Sequence, residues 1–155
     1  MHAPDRAQDL RWMQRAINLA ALCPPAAGAY SVGAVIVGDD GTELASGYSR
    51  EADPHEHAEE AALSKLPAND QRLSGASMYS TLEPCSQRQS PRMPCAQRIL
   101  ASGIPRVVIA WREPSLFVAD CIGYEQLVEA GVTVVELPEL AANARAINTH
   151  LGKLT

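Results

Sequence analysis

The sequence has few aromatic residues and no long apolar run. Phenylalanine, tryptophan and tyrosine make up 5% of the 155 residues, and no apolar stretch approaches the roughly 20 residues that a membrane helix needs. Residues 1–6 contain no basic segment leading into an apolar one, so no secretory signal is visible. These absences argue against a membrane or exported protein, and we expect a cytoplasmic location.

Basic charge is also scarce. The 13 lysines and arginines are outnumbered by 18 acidic residues, the net charge is −5, and no basic cluster stands out. Proteins that bind nucleic acids usually present such a cluster to the phosphate backbone. The sequence therefore argues against a nucleic-acid partner and favours a small-molecule substrate whose charge is met locally by a few arginines.

The remaining composition is that of one folded domain. Apolar residues make up 46% and charged residues 20%, values typical of a soluble globular protein. We expect residues 1–155 to form a single domain, because the length is too short for two. Periodicity and turn residues predict the elements. These are helix 5–23, strands 31–38 and 43–49, helix 54–66, strand 77–81, loop 82–93, helix 94–102, strand 106–111, helix 124–130, strand 132–136 and helix 138–151.

The order of these elements predicts the fold class. The first two strands are joined by a tight turn, which favours an antiparallel hairpin, whereas later strands alternate with helices, which favours parallel pairing. We therefore expect an α/β fold with a mixed five-stranded sheet between two layers of helices.

Two of the four cysteines follow a proline. These are Cys85 and Cys95, whereas Cys23 and Cys121 lie in no motif, and we expect them to pack as small apolar side chains. No Cys-x-x-Cys pair is present, which argues against a redox dithiol protein. Clustered cysteines in a cytosolic chain favour metal binding, with a disulfide between Cys85 and Cys95 as the alternative.

A histidine segment supplies a third candidate ligand. His57 with Cys85 and Cys95 would give Zn²⁺ three protein ligands and leave a fourth position for water, as in catalytic zinc sites. We expect helix starts at these segments to lower the pKa of both thiols. Glu59, two residues after His57, is the expected catalytic residue, moving protons between water and substrate. His55 is a rival ligand that we instead expect at the pocket rim.

These residues resemble the H-x-E and P-C-x-x-C signature of zinc-dependent deaminases. The matching segments are His57-Ala58-Glu59 and Pro84-Cys85, although the second cysteine follows the first by ten positions instead of three. The chain is most similar to the pyrimidine deaminase domain of riboflavin biosynthesis, over roughly residues 8–150. The segments that carry this similarity are VGAVIV at 32–37, TLEPCS at 81–86, MPC at 93–95 and GIPRVVIAWREP at 103–114.

The resemblance implies a cytidine deaminase-like fold, bound Zn²⁺ and a homodimer or homotetramer. It also implies hydrolytic release of ammonia from an amino-substituted pyrimidine or purine base, nucleoside or nucleotide. A diaminopyrimidine of the riboflavin-precursor type is the nearest substrate. A deaminase of bases in nucleic acid, as in tRNA editing, and a non-catalytic zinc-stabilised binding module are the alternatives. Glu59 argues against the module, because a structural zinc site does not need it.

Candidate substrate-binding residues surround the expected metal. Arg88 and Arg92, between the metal cysteines, could bind a substrate phosphate or be solvated loop cations. We expect Glu83 to hold this loop by hydrogen bonds, and Gly33 and Ala34 to allow close approach of a planar ring. The candidate substrate-binding residues are Gly33, Ala34, His55, Ala58, Glu83, Arg88 and Arg92. The aromatic residues that could stack on the ring are Tyr30, Trp111 and Phe117.

Overall fold

A computed structural model describes residues 5–24, 26–88, 91–112 and 121–151. Its helices are α1 (Arg6–Ala20), α2 (Ala58–Ser64), α3 (Cys95–Ser102), α4 (Gly123–Glu129) and α5 (Ala141–Ala146). Its strands are β1 (Gly33–Val37), β2 (Glu43–Tyr48), β3 (Ser77–Leu82), β4 (Arg106–Trp111) and β5 (Thr133–Glu136). Short 3₁₀ turns occur at Gln71–Gly75, Pro138–Leu140 and Thr149–Leu151. None of the helices in these ranges has the length and apolar character needed to cross a bilayer.

The five strands form one mixed sheet in the order β2-β1-β3-β4-β5. Strand β1 is antiparallel to both neighbours, whereas β3, β4 and β5 are parallel to one another. The central strands β1, β3 and β4 are buried almost throughout, as expected when both faces of a sheet are covered. The expected mixed five-stranded sheet is confirmed.

Two glycines show that helices cover opposite faces of this sheet. A Cβ atom on Gly33 would overlap the carbonyl oxygen of Ala16 in α1, whereas one on Gly47 would lie 2.6 Å from Ala62 N in α2. Gly47 pairs with Ala34, the neighbour of Gly33. Successive strand residues point to opposite faces, so α1 and α2 lie on different sides and the fold has three layers.

The helix predicted over 54–66 begins later, at Ala58. Arg50 adopts a positive φ of 61°, and its N–H donates to Glu56 O at 2.7 Å. The chain therefore reverses in a turn before α2 begins. His57 is the residue that caps the helix, in an extended conformation, so the turn decides where this side chain enters the site.

The single helix predicted over 138–151 is wrong, because only Ala141–Ala146 is α-helical. Asn148 accounts for the break. Its side-chain Nδ2 donates to Ala144 O at 3.2 Å and to Ser31 O at 3.1 Å, while Oδ1 accepts from Ser31 N at 2.7 Å. A side chain that competes for backbone groups in this way ends a helix, and here it also fastens the C-terminal segment to the entrance of β1.

A buried ion pair joins α1 to the sheet. The Asp9 carboxylate accepts from Tyr79 Oη at 2.6 Å, from Arg106 Nη2 at 2.6 Å and from Arg106 Nη1 at 3.0 Å. Burial and the hydrogen bond to Asp9 raise the pKa of Tyr79, so its phenol remains a donor. The side chain of Asp9 is 3% exposed and that of Arg106 is 15% exposed. Water therefore cannot replace either partner fully.

Replacing Asp9 by asparagine should lower the free energy of unfolding by about 3–5 kcal/mol, because it leaves the Arg106 guanidinium buried without its counter-charge. Urea unfolding followed by circular dichroism measures this loss. Glu139→Gln is the matched control, since Glu139 pairs with Arg6 at the surface and such pairs contribute about 1 kcal/mol or less. Equal losses in the two variants would contradict the assigned role of Asp9.

Candidate metal centre and active site

Three side chains from separate segments converge beside the sheet. His57 caps α2, Cys95 is the first residue of α3, and Cys85 lies three residues beyond the end of β3. His57 Nδ1 is 3.5 Å from Cys85 Sγ and 3.5 Å from Cys95 Sγ. Within the described ranges, this is the one group of three or more such side chains whose donor atoms all lie within 4.8 Å of one another.

The donor set and its spacing fit Zn²⁺. Zinc lies about 2.3 Å from thiolate sulfur and about 2.1 Å from imidazole nitrogen, so a tetrahedral angle separates the two donors by about 3.6 Å. The two observed nitrogen–sulfur distances of 3.5 Å agree with this value. One nitrogen and two sulfur donors are a usual zinc combination, and three protein ligands leave one position for water or substrate.

The two cysteines have different protonation states when no metal is bound. Cys95 N, the first amide of α3, donates to Cys85 Sγ at 3.2 Å. The hydrogen bond with the Cys95 thiol is the main cause that lowers the pKa of Cys85 to about 4 despite the opposing effect of burial, and His57 and the Cys95 amide contribute further. The contact with Cys85 and burial raise the pKa of Cys95. In this metal-free pair the lowered pKa falls on Cys85, and the expectation that both thiols bind a metal as thiolates stays a prediction.

Glu59 is a buried carboxyl group close to these donors. It is 4% exposed, and Ser80 Oγ donates to its Oε2 at 3.2 Å. Burial raises the pKa of Glu59, and the nearby Cys85 thiolate raises it further. A carboxyl group with a raised pKa can accept and release a proton near neutral pH.

Ser80 was not singled out from the sequence. It is fully buried, and nothing in the sequence distinguishes its hydroxyl from those of Ser77 and Thr81 in the same strand.

The sheet register places Ala34, but not Gly33, on the face of the site. Ala34 pairs with Gly47 on one side and Ser80 on the other, and those residues contact α2 and Glu59. The Cα of Gly33 faces the α1 backbone instead. Its missing side chain therefore allows α1 to pack against β1, which is a different role from the approach to a substrate ring that we expected.

Arg88 is engaged by the protein itself. Its side chain is 4% exposed, and its guanidinium donates to Glu60 Oε1, His55 O and Met93 O. Such a buried, shared cation supports the loop and is not the solvated cation of one alternative, while a contact with substrate phosphate stays a prediction. Arg92 is 33% exposed and pairs with Asp53 at 2.8 Å.

The other candidate residues have the following contacts. The His55 side chain is exposed and does not join the three donors, and its expected position at the pocket rim stays a prediction. Glu83 Oε2 accepts from Tyr124 N at 2.8 Å, which ties the loop to the start of α4. Ala58 is fully buried at the start of α2. Tyr30 and Trp111 pack edge to face, with centroids 6.0 Å apart. Phe117 lies outside the described residues.

The chain is similar in sequence to known deaminases and riboflavin biosynthesis proteins. A family model described as the cytidine and deoxycytidylate deaminase zinc-binding region matches residues 6–111. The diaminohydroxyphosphoribosylamino-pyrimidine deaminase of Schizosaccharomyces pombe is 42% identical over 127 residues, which cover 81% of this chain and 31% of that protein. The riboflavin biosynthesis protein RibD of Escherichia coli is 36% identical over 135 residues, covering 82% and 33%. The chain thus spans about a third of the length of these curated relatives.

Solved structures give the same result for the fold. RibD of Acinetobacter baumannii superposes with a TM-score of 0.78 at 33% identity, covering 94% of this chain and 39% of that one. The Rib2 deaminase of Aspergillus oryzae superposes with a TM-score of 0.71 at 25% identity, covering 94% and 99%. The fold expected from the sequence is confirmed.

Proposed function

Because the chain belongs to the cytidine and deoxycytidylate deaminase zinc-binding family, we propose that it is a zinc-dependent hydrolytic deaminase of an aminopyrimidine. The observation that carries this proposal is the convergence of His57, Cys85 and Cys95 near the buried Glu59. Three ligands with an open position are typical of catalytic zinc sites, whereas structural sites use four protein ligands. A buried carboxyl group outside the ligand set adds the proton carrier that hydrolysis needs.

Different residues of the site would bind the metal and transfer protons. Zinc bound by the three donors would supply a water that is activated near neutral pH. Glu59 would accept one proton of the water and pass it to a ring nitrogen as the water oxygen bonds to the ring carbon that bears the amino group. The remaining proton of the added hydroxyl would then pass through Glu59 to the amino group, so that the carbon–nitrogen bond breaks, ammonia leaves and a carbonyl remains on the product. Ser80 Oγ holds the carboxyl group through Oε2 during these transfers.

The proposed substrate is a diaminohydroxypyrimidine with a phosphoribosylamino substituent. This compound class appears in the name of the Schizosaccharomyces pombe relative, which is 42% identical over 127 residues. The same class appears in the name of a Thermotoga maritima deaminase/reductase structure, which superposes with a TM-score of 0.75 at 30% identity. Ala34 pairs with Ser80, so its small side chain lies on the sheet face that carries Glu59.

Ammonia release from a set of candidate substrates tests this proposal. The zinc-loaded protein is assayed with the diaminopyrimidine ribonucleotide, dCMP, cytidine, guanine and a tRNA. We expect kcat/KM for the diaminopyrimidine to exceed the others by at least about 100-fold, because buried polar groups reject analogues that leave them unpaired. A preference for dCMP or guanine would contradict the proposed substrate, and a preference for tRNA would favour the tRNA-editing alternative. Release of no ammonia from any compound would contradict the proposed deaminase activity.

We also propose that the protein acts in the cytoplasm as a homodimer or homotetramer. All four cysteines are free in the structure, which suits a reducing compartment. Ile122 and Val128, before and within α4, are 45% and 47% exposed, and such apolar side chains are candidates for a subunit interface. Light scattering of the zinc-loaded protein measures the mass, and a value of 16.6 kDa would contradict assembly.

A further inference from the structure

Glu60 connects two of the segments that carry the metal-binding side chains. It lies in the first turn of α2, and its Oε1 accepts from His57 N at 3.2 Å and from Arg88 Nη2 at 2.9 Å. Its Oε2 accepts from Arg98 Nη2, on α3, at 3.1 Å. The side chain is 13% exposed, so water screens these charges weakly. One carboxylate thus joins the start of α2 to α3.

Arg88 extends this connection to the backbone. Its Nη2 donates to His55 O at 2.6 Å and its Nη1 donates to Met93 O at 3.2 Å. Arg98 Nε donates to the same Met93 oxygen at 3.0 Å. The planar guanidinium is suited to this arrangement, because its donors are fixed in a fork and reach several acceptors at once.

The bonded backbone positions lie next to the metal-binding residues. The two carbonyls belong to residues two positions before His57 and two positions before Cys95, and Arg88 itself follows Cys85 by three positions. Arg88 lies in the segment that carries Cys85, and its guanidinium donates to the segments that carry His57 and Cys95. It therefore connects all three segments that supply a donor atom. Arg92, on the same loop, adds a second connection, because its guanidinium donates to Asp53 Oδ2 at 2.8 Å and to Glu60 Oε2 at 3.5 Å.

We propose that Arg88, acting with Glu60, is a positioning residue that holds His57, Cys85 and Cys95 together before a metal binds. The inference rests on the zinc site of the proposed function. Groups outside the ligand set orient the ligands, and their loss weakens metal binding. A donor set that is already ordered avoids the conformational entropy that binding would otherwise cost.

The zinc dissociation constant tests this role. It is measured by competition with a chromogenic chelator for wild type, Arg88→Met, Arg88→Lys and the control Arg72→Met, whose arginine is a surface residue paired with Asp70. We expect Arg88→Met to raise the constant by about 10–100-fold. Arg88→Lys should show a smaller increase, since an ammonium keeps the charge but lacks the fork. Arg72→Met should match wild type.

The visible spectrum of the Co²⁺-substituted protein gives a second readout. We expect wild type to show the intense bands of tetrahedral Co²⁺ with thiolate ligands, and Arg88→Met to show weaker or shifted bands while its far-ultraviolet circular dichroism stays unchanged. Equal zinc constants and spectra in wild type and Arg88→Met would overturn the positioning role alone. If Arg88→Met does not fold, a zinc dissociation constant of Arg88→Lys equal to that of wild type would overturn the positioning role. No zinc binding by wild type would overturn both this role and the proposed function.

Discussion

Replacing Glu59 by glutamine should lower kcat for ammonia release by about 10²–10⁴-fold, the usual contribution of a positioned proton-transfer group. Glutamine has nearly the same shape, and its amide oxygen can still accept from Ser80 Oγ. It cannot carry a proton between water, ring nitrogen and leaving group. The zinc content should remain one ion per chain, because Glu59 lies outside the donor set. Steady-state assays and metal analysis of the same preparation measure the two quantities.

The control for this variant is Glu129→Gln, since Glu129 is an exposed glutamate at the end of α4. It should keep wild-type kcat. Wild-type kcat in Glu59→Gln would show that another group carries the proton. A loss of kcat accompanied by loss of zinc would instead assign Glu59 to metal binding.

Glu59→Gln should also be more stable than wild type when both proteins are metal-free at neutral pH. Burial raises the pKa of Glu59 in the folded protein, so folding favours its protonated form. The stability that this group contributes is therefore complete below the ordinary glutamate pKa of about 4.3 and is lost as pH rises through the folded-state value. Thermal unfolding should show the advantage of glutamine at pH 7 and its disappearance near pH 4.

Removing zinc with a chelator should reduce ammonia release to the background rate, and added Zn²⁺ should restore it. The proposed chemistry needs an activated water, which the side chains cannot supply without the metal. Cys85→Ala should remain inactive after Zn²⁺ is added, because only two of the three donors are left. Cys23→Ala is the matched control, since Cys23 lies apart from the donor group and its thiol donates to Val32 O. Turnover in chelated protein, verified as metal-free, would contradict the zinc mechanism.

Alkylation provides an independent readout of zinc removal. The low pKa of Cys85, about 4, makes it a thiolate at pH 6, where an ordinary thiol is protonated. Iodoacetamide at pH 6 should therefore modify Cys85 first in metal-free protein, and bound zinc should prevent the reaction. Peptide mapping by mass spectrometry identifies the residue. Modification of Cys23 before Cys85 would contradict the assigned thiolate.

Local sequence signals predicted the elements that position the site. Helix α3 begins directly after Pro94 and is followed by Gly103 at a φ of 84°. Both boundaries were predictable, because proline at the start of a helix and glycine after its end are signals that act on the neighbouring residues. The sequence at 107–110 is apolar throughout, which is typical of a strand covered on both faces, and β4 is buried after its first residue. The three donor residues were found for a similar reason, since each lies in a short motif at an element boundary.

Contacts between distant segments were not predictable in the same way. The pairing of Glu60 with Arg88 joins residues 28 positions apart, and the amide of Asn148 reaches Ser31 across 117 positions. Neither has a local signature. The sequence indicated that another group packs closely against Gly33. The alternation of residues along a strand, however, does not reveal which helix covers which face of the sheet. The role of such residues depends on the assembled layers.

The three donors lie far apart in the unfolded chain, since 28 positions separate His57 from Cys85 and another ten separate Cys85 from Cys95. Only the folded chain presents them together, so the proposed zinc binding would be thermodynamically linked to folding. A free zinc concentration 100 times the dissociation constant would add about 2.7 kcal/mol to the free energy of unfolding. The supply of this metal would then govern the abundance of the protein in the cell as well as its turnover.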